Sequence, residues 1–179
     1  FVCMKILFLC KKFPYPLKDG ESIAVSNLCK ELKALDCDIS LLSMNTSKHY
    51  SDPNALPPDY NYFTTIHTID LDNAIKPWKA VASIVSGESY HIRRFKSGAF
   101  RDKLIEILKQ NTFDIIQLET LYLAPYIDTI REYSNARIVM RAHNVEHEIW
   151  ERITRNTGSN IRKFYLAYLT RKLKAYEIG

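Results

Sequence analysis

From residue 141 to residue 147 the chain reads Arg141-Ala142-His143-Asn144-Val145-Glu146-His147, a dense group of polar and titratable side chains. Near physiological pH a neutral imidazole such as that of His143 can take or give a proton, or hydrogen-bond a hydroxyl. The Asn144 amide and the Glu146 carboxylate beside it can orient a polyol. His143 is therefore the candidate catalytic residue, and Asn144 and Glu146 are candidate substrate ligands. Their position strengthens the reading. The preceding Arg137-Ile138-Val139-Met140 reads as a buried strand, and open α/β sheets hold their ligands just past the carboxyl ends of strands. Glu119, past an earlier strand, falls on the same edge; it is either a further ligand of that crevice or a solvated loop carboxylate.

His143-Asn144-Val145-Glu146-His147 also has the H-x-x-E-H spacing of a zinc site. Such a site needs both histidines on one helical face, a third protein ligand and an open position for water. Here His143 falls at a strand-to-loop transition, the helix begins near Glu146, and Glu148, Glu151 and Glu177 offer no matched third ligand. No metal is expected. A second candidate is Asp19-Gly20-Glu21-Ser22, between the first strand and the first helix. Glycine lets backbone approach a ligand closely, and free N–H groups at a helix start attract phosphate. The plainer reading is a turn with Ser22 as N-cap. No G-x-G-x-x-G fingerprint is present, so neither NAD nor FAD is implied.

The elements that must position these residues alternate. Met4 to Cys10 is a nearly continuous apolar run, as expected of a strand covered on both faces. A loop with Pro14, Pro16 and Gly20 follows. From Ser22 a helical stripe runs through Val25, Leu28, Cys29, Leu32 and Leu35, and Asp38 to Ser43 is a second strand, which completes a βαβ unit. Asn45 to Tyr62 reads as a long surface loop, Thr65 to Ile69 as a third strand and Trp78 to Val85 as a helix. Ser97 can cap a helix with Phe100, Leu104, Ile107 and Leu108 on one face. Phe113 to Leu118 is a fourth strand, Leu121 to Tyr133 a short helix and Arg137 to Met140 the fifth strand. Asn160 to Ile178 is one long helix whose stripe comprises Ile161, Phe164, Tyr165, Tyr168, Leu169, Leu173 and Tyr176. Its basic flank could lie on an anionic membrane, but a stripe this rich in tyrosine is expected to pack within protein. The pattern predicts one Rossmann-like α/β domain over residues 4–179, a mostly parallel sheet with helices on both faces.

With 179 residues, 46% of them hydrophobic, the chain can bury a sizeable core. No apolar run is long enough to cross a bilayer, and the first ten residues lack the basic leader and cleavage site of a signal peptide, so a cytoplasmic location is expected. The four cysteines are scattered and read as buried hydrophobes or free thiols. A net charge of +5 points to an acidic partner. No nucleic-acid-binding motif accompanies it, and nucleic acid is not expected.

Met4 to Cys10, Phe13-Pro14-Tyr15-Pro16, Gly20 with its helix, Phe113 to Glu119 and Arg141 to Glu146 together resemble the N-terminal half of retaining GT-B glycosyltransferases. More narrowly, they resemble the group-1 transferases that build bacterial polysaccharide and lipopolysaccharide. The resemblance covers Met4 to Tyr176. It implies an acceptor-side domain that works with a separate nucleotide-sugar domain, so this chain alone should be inactive. It implies that Gly20 lies near the donor diphosphate and that His143 contacts the transferred sugar or supports the reaction centre. The reaction would need no metal or other cofactor. The implied partners are a nucleotide-sugar and a glycan or lipid-linked acceptor, with peripheral contact to the inner face of the membrane. The chain departs from the family in having Asp19-Gly20-Glu21 where many relatives have paired glycines. The rival reading is a non-enzymatic α/β domain that binds phosphate or a protein at its sheet edge.

Overall fold

The structure, a computed structural model, describes residues 3–46, 50–53, 55–71 and 90–178. Ile6, Leu7, Phe8 and Leu9 are all buried, as an unbroken apolar run requires of a strand covered on both faces. They form β1 (Lys5–Cys10), flanked by β2 (Asp38–Thr46) and β4 (Ile115–Leu118), with β3 (Thr65–Leu71) and β5 (Arg137–Met140) outermost. The order is β3-β2-β1-β4-β5 and every ladder is parallel. Leu7 stands opposite Ser40 on one side and Ile116 on the other. Winding reverses between β1 and β4. With right-handed crossovers, the connections of the two halves then lie on opposite faces of the sheet.

On one face α1 (Gly20–Ala34) buries Val25 and Cys29 in a core with Ile6, Phe8, Phe13, Ile39 and Leu41. Its N-cap is Asp19, whose Oδ1 accepts the Ser22 N–H at 3.0 Å. This corrects the expected Ser22 cap. Asp caps as well as Ser and places a carboxylate at the positive end of the helix dipole, so the helix begins three residues earlier than a Ser22 cap would set it. α3 (Gly98–Gln110) is capped by Ser97 and buries Phe100, Leu104, Ile107 and Leu108, the stripe read from sequence. The segment expected as one helix from Leu121 is a 3-10 helix (Leu121–Tyr126) followed by α4 (Ile127–Tyr133). Pro125 lies inside the 3-10 helix and has no N–H for an α-helical bond.

Two further expectations are corrected. β5 is not a buried strand: Val139 is 42% and Met140 45% exposed, because it is an edge strand paired with β4 alone. The stretch from Asn45 is not all surface loop, since β2 runs on through buried Asn45 and Thr46. Buried Tyr60 donates its hydroxyl to the Pro14 carbonyl at 2.9 Å. The helix expected at Trp78 to Val85 lies outside the described residues.

The chain divides into two compact units, and these strands and helices belong to Phe1–Ala74 with Ser97–Arg141. The second unit, Ile75–Lys96 with Ala142–Gly179, contains α2 (Tyr90–Arg93), α5 (Glu146–Arg155) and α6 (Asn160–Ile178). α5 starts at Glu146, as the sequence predicts. α5 and α6 form an antiparallel hairpin, with Glu146 beside Glu177 at one end and Thr154 beside Thr170 further along. Leu169 and Leu173 are buried, and Tyr165 and Tyr168 pack against Leu169. Phe164, expected on the same stripe, is 80% exposed. No helix among the described residues is long and apolar enough to cross a membrane.

Candidate functional site

The carboxyl ends of β1 and β4 meet where the winding reverses, the place where sheets of this order leave a crevice. The chain continues both ladders one step beyond the strands. The Glu119 N–H donates to the Leu9 carbonyl at 3.1 Å, and the Arg141 N–H donates to the Leu118 carbonyl at 2.8 Å. Backbone pairing thus fixes the origin of both side chains. Glu119 has no solvent exposure, and Arg141 Nε donates to its Oε2 at 2.8 Å while Nη2 lies 2.6 Å from the same oxygen. The solvated alternative for Glu119 is therefore overturned: its buried carboxylate is held by the guanidinium of Arg141.

Lys11 and Lys12 follow β1 directly. Lys12 Nζ lies 2.5 Å from Asp19 Oδ2 and 3.7 Å from Glu21 Oε2. Lys11 Nζ lies 3.3 Å from the same Glu21 oxygen and 4.9 Å from the centre of the Tyr122 ring. Burial works to raise the Asp19 pKa, but the hydrogen bond from Lys12 and those from Ser22 outweigh it and hold the carboxyl at about 2. Cys10, the last residue of β1, is pushed well above the usual thiol range, first by burial and then by the negative charge of Glu119. It is a spectator rather than a nucleophile. Lys11, Lys12 and Arg141 thus face Asp19, Glu21 and Glu119, three cationic side chains against three carboxylates. A site of this kind offers both donors and acceptors to a neutral ligand. An anion would have to displace Asp19 or Glu21 from the lysines.

Of the residues singled out from sequence, Asp19, Glu21 and Glu119 belong to this network. Gly20 opens α1 beside it, exposed, and a Cβ built there would meet nothing within 4 Å. Its missing side chain therefore answers no packing demand of the fold. His143 and Asn144 lie in the bend after β5, His143 half-buried and Asn144 exposed. They belong to the second unit, as do Glu146 and His147. Glu146 and His147 form the first turn of α5, whose N-cap Val145 has no capping side chain. Glu177 supplies the cap from the far end of α6. Its carboxylate accepts the N–H groups of Glu146 at 2.9 Å and His147 at 3.0 Å, and it lies 2.7 Å from His147 Nδ1. Burial would raise the Glu177 pKa, but these bonds outweigh it and lower it. His147 is thus tied to a helix cap, and no group of three or more potential metal ligands occurs among the described residues.

The sequence reading missed the part played by Arg141, Lys11 and Lys12 and the pairing of Glu177 with His147. Lys11-Lys12, directly after a strand, was a usable signal, as was a helix opening on a valine with no cap of its own.

In comparisons with known proteins, no family model matches this chain and no curated protein matches it.

Proposed function

We propose that this chain is the acceptor-side domain of a retaining glycosyltransferase that moves a sugar from a nucleotide-sugar to a glycan or lipid-linked acceptor. One observation carries the reading: the buried Glu119–Arg141 pair, with Lys11, Lys12, Asp19 and Glu21, forms a charge-balanced network at the switch point of the sheet. Fixed carboxylates and cations of equal number suit the hydroxyls of a sugar, each of which both donates and accepts. Because they are already oriented by one another, little ordering cost remains when a polyol binds. The charge balance also favours the acceptor over the donor diphosphate as the ligand of this side, with the diphosphate held chiefly by the partner domain.

In this reading His143, in the second unit, hydrogen-bonds a reacting hydroxyl through its imidazole. Asn144 and Glu146 assist in orienting the sugar. The reaction needs no resident cofactor, and the protein works in the cytoplasm against the inner membrane face. The deciding experiment uses the complete open reading frame. The purified product is incubated with a panel of radiolabelled nucleotide-sugars and a membrane extract from its own host. Label transferred to a glycan or lipid fraction, and lost in His143→Ala with an unchanged circular dichroism spectrum, supports the reading. An absence of transfer across the panel, with the protein folded, counts against it.

A further inference from the structure

Aromatic rings border the charged network. Lys12, Phe13, Tyr15, Asp19, Ser22 and Tyr50 line a pocket of about 160 Å³ beside the start of α1, within the first unit. Part of the lining is polar, since Asp19 holds Lys12 Nζ at 2.5 Å and the Ser22 N–H at 3.0 Å. The rest is aromatic, and its rings stand on anchored backbone. Tyr15 packs edge-on against buried Tyr60, centroids 5.1 Å apart, and the Tyr60 hydroxyl donates to the Pro14 carbonyl at 2.9 Å. Tyr50 precedes Ser51, whose N–H and carbonyl are both bonded by the buried Asn45 amide, at 3.1 Å and 3.0 Å. Tyr50 itself is 65% exposed, a large ring held at the pocket and left out of the core.

Aromatic rings beside a hydrogen-bonded ion pair are the lining that a pyranose requires. A sugar is amphipathic: its ring C–H groups pack on a flat aromatic face, while its hydroxyls donate and accept around the edge. Tyrosine supplies that contact at low cost in conformational entropy, and at lower cost still where its backbone is already held. We propose that this pocket binds one hexopyranose residue, stacked on Tyr50 and Tyr15, with its hydroxyls on Asp19 and Lys12. Lys18, also in the lining, is exposed, has no ion-pair partner among the described residues and is a further donor. Calling this sugar the acceptor rests on the transferase reading. On that reading Tyr50 selects the sugar end of the acceptor, and a bare lipid phosphate is not the substrate. A hydrocarbon chain here would strip water from the Lys12–Asp19 pair and return no hydrogen bond, and the volume suits one ring rather than a chain.

The test is saturation-transfer NMR of the 179-residue chain with the methyl glycosides of glucose, galactose and mannose, with citronellyl phosphate as a short isoprenyl phosphate, and with uridine. Saturation is expected to reach the ring C–H protons of at least one hexoside. Tyr50→Ala should weaken the binding of that hexoside roughly fivefold, the share of one aromatic contact. Tyr50→Phe should keep it, and Tyr176→Ala, which removes another exposed ring, should leave it unchanged. No transfer to any hexoside, equal binding by the Tyr50→Ala protein, or loss in Tyr50→Phe would overturn the proposal. So would stronger binding of citronellyl phosphate or uridine that Tyr50→Ala abolishes. The complete reading frame separates this proposal from the transferase reading. Sugar transfer unchanged by Tyr50→Ala would sink the pocket and leave the transferase standing, whereas hexoside binding through Tyr50 with no transfer would leave the pocket and sink the transferase.

Discussion

Arg141 joins the ends of β4 and β5 by holding the Glu119 carboxylate at 2.8 Å and 2.6 Å, through Nε and Nη2, in a position closed to solvent. Removing one partner strands the other charge, which is the costly way to break such a pair. Arg141→Met is expected to lower the unfolding free energy by about 3 kcal/mol, and Arg141→Met with Glu119→Leu to recover most of that loss. Urea unfolding of the single and double variants measures both. If the double variant loses as much as the sum of the singles, the pair is not the structural unit described.

The His143 prediction separates chemistry from stability. The residue lies half-buried in a bend and belongs to no helix or strand. His143→Ala should therefore leave the melting temperature within about 2 °C, while a proton-transfer or hydroxyl-binding role predicts a fall in kcat of about 100-fold in the complete enzyme. A matched decline in Tm and turnover would assign His143 to the fold instead.

Much of the frame was legible because it is written locally. The unbroken run from Ile6 to Leu9 and the Phe100, Leu104, Ile107 and Leu108 stripe carry their own periods, and the all-parallel sheet follows from strands alternating with helices. What escaped is long-range. Arg141 meets Glu119 across 22 residues and His147 meets Glu177 across 30, and neither spacing leaves a trace in the intervening letters. β5 misled for a related reason. Ile138-Val139-Met140 is as apolar as a central strand, and burial is decided by how many neighbours pair with it rather than by its composition. Within the site, residue types pointed to Asp19 and Glu119, but only the register showed their charges to be balanced.

Thiol chemistry offers a simple check on the core. Cys10 and Cys29 are buried and pushed well above the usual thiol range, first by burial and then by Glu119, and Cys37 is raised by burial as well. Cys3 is exposed. A disulfide reagent at pH 8 should titrate about one thiol quickly in the native chain and all four in denaturant. Rapid reaction at a site mapped to Cys10 would show that the crevice end of β1 is open.

The last prediction concerns Glu177. Its folded pKa lies below the ordinary carboxylate range, so the proton binds more tightly to the unfolded chain. The resulting stability is present above the unfolded pKa, about 4.3 for a glutamate, and is lost as the pH falls through that value and on through the folded pKa. Asp19, held at about 2, adds a contribution of the same sign, reduced by solvent screening because its side chain is 43% exposed. Glu177→Gln keeps one acceptor but no charge at the positive end of α5. It should cost about 1 kcal/mol at pH 7 and nearly nothing at pH 2, so the acid limb of its stability curve should be shallower than that of the parent. Thermal melts of both proteins from pH 7 to pH 2 measure this directly. A constant offset across that range would mean that the charge of Glu177 contributes nothing and that its carboxylate acts as a neutral cap.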